Sequence, residues 1–132
     1  MLRLAVWCAW LHHRWRRVIG VTHTKGFDPN ELATHWKKHR ADFGGCSMKD
    51  YQDLADAFLG AARPAGVLEC RRPNTASGAA GDSLRLNCVT EEFGVLSRAT
   101  GYIITYFKPA PLKKHKHTTN AAYFCDECQR NF

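Results

Sequence analysis

A chain of 132 residues with 45% apolar and 11% aromatic residues can bury one hydrophobic core and is too short for two. Nineteen Lys and Arg against twelve Asp and Glu leave a formal charge of +7, which favours a polyanionic partner. No apolar run approaches the roughly 18 residues of a spanning helix, so no membrane insertion is expected.

The charge is unevenly spread. Residues 1 to 25 carry five Arg or Lys and no acid, residues 26 to 112 carry ten of each sign, and residues 113 to 132 carry four basic groups against two acids. The ends are basic and the centre is neutral, so an anion site in the centre must be built locally. In residues 1–25 the apolar run Leu4 to Leu11 spans eight residues and the strongest charges follow it, the reverse of a signal peptide. We treat 1–25 as a basic segment set apart from the fold and 26–132 as the domain.

The stretch FDPNELATHWKKHRADFGG opens the organised sequence. Asp28 is a candidate N-cap, Pro29 fits the first helical position, Glu31 completes a capping box, and Gly44 and Gly45 stop the helix. Leu32, Trp36, His39 and Phe43 recur at helical spacing, so an ionisable ring stands within an apolar stripe. In SMKDYQDLADAFLG a second helix is predicted, capped by Ser47 and burying Tyr51, Leu54, Ala55 and Phe58, with Lys49, Gln52, Asp53 and Asp56 in solvent.

From residue 67 the period changes to two. VLECRR, LRLNCVT, FGVLS and GYIITYFKP read as strands joined by a Pro/Gly/Ser/Ala loop and two short turns. Short turns imply antiparallel neighbours, and the expected architecture is α+β, with two N-terminal helices packed on a meander of about four strands. After a basic linker the tail is predicted to form a short helix capped by Thr118 or Thr119.

The first helix gathers His35, Lys38, His39, Arg40 and Asp42, and the strands supply Arg71, Arg72, Thr105, Phe107 and Lys108. Thr105 and Phe107 share a face, because strand side chains alternate. An imidazole, cations, a hydroxyl and an aromatic plate form the inventory of a metal-free ribonuclease, in which the RNA 2′-hydroxyl is the nucleophile. The competing account of the same residues is a hydrogen-bonded core histidine beside a solvated basic helix face.

KHRADFG, Lys38 to Gly44, resembles the KHxxDFG signature of colicin D-like tRNA-cleaving nuclease domains of bacterial polymorphic and contact-dependent inhibition toxins, within the barnase-like fold group. The helix SMKDYQDLADAFLG and the segment TEEFGVLSRATGYIITYFKP follow in that family's order, and the resemblance covers about residues 28 to 132. It implies a metal-independent endoribonuclease leaving 2′,3′-cyclic phosphate and 5′-hydroxyl ends, with no cofactor. By position it makes His39 the proton-transfer residue, Lys38 its electrostatic neighbour, Thr105 the hydroxyl that orients phosphate or ribose, and Phe107 a stacking surface. Lys108 becomes a phosphate contact. Trp36 stands where colicin D carries a further lysine, and Lys37 or His35 is a candidate to supply that charge. Arg71 and Arg72 are assigned by chemistry alone, as phosphate clamps or as decoration of an edge strand. The resemblance further implies RNA, of the tRNA class, as substrate, an acidic cognate immunity protein, and action in the bacterial cytoplasm after secretion or delivery.

Six cysteines, at 8, 46, 70, 88, 125 and 128, are not spaced as a disulfide framework. Cys70 and Cys88 on consecutive strands can face each other or pack as free thiols. His115 and His117 precede Cys125 and Cys128, which offers two imidazoles and two thiolates to one zinc in an unusual order. That reading belongs to a rival function, a noncatalytic, phage-associated nucleic-acid-binding module; the alternative is a structural helix with two incidental thiols.

Overall fold

A computed structural model describes residues 23–130, so most of the basic N-terminal segment lies outside the described residues. Its last three residues belong to the fold. Asp56 on the second helix accepts the backbone N–H of His23 at 3.0 Å and of Thr24 at 2.7 Å as well as the Thr24 hydroxyl, and the Lys25 N–H donates to the Gly101 carbonyl. Asp56 is therefore buried where the sequence pattern predicted a solvated carboxylate. Its burial is satisfied by three donors.

The chain forms helix α1 (Leu32–His39), a 3-10 turn (Arg40–Phe43), helix α2 (Met48–Gly60), strands β1 (Val67–Arg71), β2 (Ser83–Asn87), β3 (Phe93–Leu96) and β4 (Ile103–Phe107), and helix α3 (Asn120–Gln129). The sheet is antiparallel in the order β1-β2-β3-β4, which is the predicted α+β architecture. Helix α1 starts later than its capping pattern suggests. The Asp28 side chain accepts the Asn30 N–H in a turn, and Glu31 at the N-cap makes no side-chain cap bond. At the other end Gly44 takes φ 69°, the left-handed conformation that closes the 3-10 turn. The Ser47 and Thr119 hydroxyls accept the Asp50 and Ala122 N–H groups and cap α2 and α3.

Alternation along the strands sends side chains into two cores. Ile103 and Tyr106 join Phe27, Phe43, Tyr51, Ala55 and Leu59 beneath α1 and α2. Leu84, Leu86, Phe93 and Val95 meet Phe124 of α3 on the opposite face, with Phe107 and Tyr123 packed against them. The register slips between Val95 and Leu96, so Ile104 is the extra residue of β4 and is 42% exposed. Buried Arg85 points to the α2 side, where it donates to the Phe58 and Ala61 carbonyls at the helix C-terminus and pairs with Glu69.

The cysteines pair in a way the sequence did not suggest. Cys70 of β1 and Cys128 of α3 form a disulfide across 58 residues, while among the described residues Cys46, Cys88 and Cys125 are in no disulfide. Cys70 thus faces α3, not Cys88. Beside this bond buried Arg72 bridges Asp82 at 3.2 Å and Glu127 at 3.0 Å and donates to the Glu127 carbonyl. Disulfide and ion pairs together fasten α3 to the β1 end of the sheet. Gly81 lies so close to the Arg72 carbonyl that a Cβ there would overlap it, which explains a glycine at this loop closure. Among the described residues no helix is long and apolar enough to cross a membrane.

Candidate active site

Helix α1 places His35 and His39 one turn apart, and their rings stack in a row with Phe27 and Phe107. Ring centroids are 5.1 Å apart for Phe27 and His35, 6.2 Å for His35 and His39, and 5.1 Å for His39 and Phe107, with planes within 30° of parallel in each pair. The outer members are supplied by the segment preceding α1 and by the end of β4. His39 is 8% exposed, and none of the hydrogen bonds among the described residues uses its ring. Among the described residues the buried ring nitrogens without a hydrogen-bond partner are His23 Nε2 and His35 Nδ1.

Burial drives the His39 pKa down to about 4. Asp42 opposes this by attraction, and Lys114, Lys38 and His35 reinforce it by repulsion. His35 is lowered as well, chiefly by burial, with Glu31 raising it and Lys38 lowering it. Both imidazoles are therefore neutral at pH 7. Neutral imidazole is the form that accepts a proton.

Asp42, which the sequence placed on the first helix without a role, and Lys114, which it did not single out, complete the cluster. The Asp42 carboxylate, on the 3-10 turn, accepts the Lys108 N–H at 3.1 Å and the Lys114 ammonium at 3.0 Å. Lys114 Nζ also donates to the Lys108 carbonyl at 3.0 Å and lies 5.6 Å from the Phe107 ring centre. Asp42 stood in the KHRADFG motif, but its partner is 72 residues away and no local pattern announces that meeting.

Of the predicted residues, His39, His35, Lys38, Phe107 and the Lys108 backbone assemble at one place. The Lys108 ammonium lies over the Phe43 ring. Thr105 pairs with Val95 two positions before Phe107 and shares its side of β4, and no hydrogen bond joins it to His39. Phe107 is not an open plate for a nucleobase: its ring already meets His39, Lys114 and the edge of Phe93. Arg71 is exposed on edge strand β1, and Arg72 is held by Asp82 and Glu127 at the α3 end, so neither joins this cluster as a phosphate clamp. The two-histidine, two-cysteine zinc set is not assembled either. Cys128 is in the disulfide, His115 bonds Asn120, and His117 meets Asp126. Among the described residues no three His, Cys, Asp or Glu side chains gather in a metal-binding group.

Comparison of the chain with family models and with curated proteins finds no match.

Proposed function

We propose that this chain is a metal-independent endoribonuclease acting on tRNA, of the kind its KHRADFG motif resembles. The observation that carries the reading is the neutral imidazole of His39, without a hydrogen bond among the described residues and held against Phe107 with the Lys38 and Lys114 cations nearby. A fixed base beside cations meets the two requirements of transesterification at a phosphodiester, proton removal and stabilisation of charge on phosphate.

In this mechanism His39 takes the proton of the ribose 2′-hydroxyl as the 2′ oxygen bonds to phosphorus. The bond from phosphorus to the 5′ oxygen breaks, the departing oxygen takes a proton from water, and the imidazolium returns its own to water. The products are a 2′,3′-cyclic phosphate and a 5′-hydroxyl. Phe107 acts as the wall that fixes the imidazole, and Thr105 lies on the same strand face to orient ribose or phosphate. An acidic immunity protein would cover this basic cluster until the toxin reaches the cytoplasm of a target bacterium. Incubating the purified protein with total RNA in EDTA tests the reading: discrete tRNA fragments support it, and binding without scission favours a nucleic-acid-binding module instead.

A further inference from the structure

A surface lysine is ordinarily a mobile point charge, but Lys114 is not free to wander. Two acceptors from different parts of the chain, the Asp42 carboxylate and the Lys108 carbonyl, each hold its Nζ at 3.0 Å. An ammonium has three donors, so one remains. The ammonium lies above the ring that supports His39, and its side chain keeps 40% exposure, so the remaining donor can meet solvent or an incoming oxyanion. The Asp42 carboxylate is less exposed and is also tied to the Lys108 N–H, which fixes the end of β4 to the 3-10 turn directly after His39. This is a cation placed in advance beside a base, the arrangement that stabilises charge appearing on phosphate without reorganisation.

We propose that Lys114 is a catalytic residue that binds the non-bridging oxygens of the scissile phosphodiester, and that Asp42 is the residue that positions it. The assignment rests on the ribonuclease reading above. It gives the aspartate of KHRADFG a task, since Asp42 sets both the place of Lys114 and the charge that His39 experiences. The charged and titratable groups that act on His39 are His35 and Lys38 from α1, Asp42 from the 3-10 turn and Lys114 from the segment after β4.

The test pairs cleavage kinetics with histidine titration by NMR on the full chain. Lys114→Gln should lower kcat for tRNA cleavage roughly 100-fold while changing KM less than about threefold. Asp42→Asn should lower it as well, and Asp42→Glu should recover part of the loss. In the free protein the two variants should move the His39 pKa oppositely, upward in Lys114→Gln and downward in Asp42→Asn, a signature that mere loosening of the fold does not produce. Wild-type cleavage rates in Lys114→Gln, or a His39 titration unmoved in both variants, would overturn the assignment and leave the ribonuclease reading standing. A wild-type protein that leaves RNA intact overturns that reading, and the catalytic role of Lys114 with it.

Discussion

The imidazole of His39 lies against the ring of Phe107 with centroids 5.1 Å apart and planes 21° from parallel, joining the end of α1 to the end of β4. Phe107 also touches Phe93 edge-on, so the histidine is fixed to a side chain that packs against the opposite core. Removing the phenyl ring should free the imidazole and admit water. In Phe107→Ala the His39 pKa should climb from about 4 toward the ordinary value near 6.5, because burial is the chief cause of its depression. Cleavage should fall roughly 100-fold through lost positioning. Histidine NMR titration and single-turnover kinetics check the two effects separately.

The same burial makes stability depend on pH. As pH falls through 6.5 the unfolded chain gains a proton at this position and the folded chain does not until about pH 4, so stability declines across that window. Below it both states are protonated and the decline ends. The full effect is on the order of 3 kcal/mol, and the lowered His35 acts in the same direction. Urea unfolding at pH 7 and pH 4.5 should show a smaller loss in His39→Gln than in the wild type.

Arg72 separates a structural clamp from a phosphate ligand. Its guanidinium is buried between Asp82 and Glu127, and Arg72→Ala would take the closer cation from the Glu127 carboxylate, only 12% exposed, and leave it the Arg130 guanidinium at 3.4 Å. The loss should be about 3 kcal/mol, visible as a lower urea midpoint. Protein that remains folded should keep near-normal affinity for RNA. Unchanged stability with weakened RNA binding would restore the phosphate role.

The disulfide should contribute through the chain it closes. A 58-residue separation corresponds to about 4 kcal/mol of unfolded-state constraint. Cys70→Ser and Cys128→Ser should each lose stability of that order, and Cys125→Ser should lose little, because Cys125 is exposed and unpaired. Denaturant curves with and without reductant measure the difference.

What could be read from the chain was local. Ser47 with Asp50 announces α2, alternation announces the strands, and KHRADFG places a histidine in an apolar stripe. Long-range partners were silent: nothing near Cys70 points to Cys128, and nothing near Asp42 points to Lys114. The same blindness assigned Asp56 to solvent, since its donors, His23 and Thr24, come from a segment that carries no helical or strand periodicity. Arg72 looked like its neighbour Arg71 because both are arginines at a strand end. Only the placement of α3 separates them, burying one against Glu127 and leaving the other in solvent.

The most direct measurement is end analysis of tRNA incubated in EDTA with wild-type protein and with His39→Ala. Discrete fragments carrying 2′,3′-cyclic phosphate and 5′-hydroxyl ends, produced by the wild type and lost in a folded His39→Ala, are the predicted result. Intact tRNA with the wild type, or the same fragments at the same rate from His39→Ala, would contradict the account.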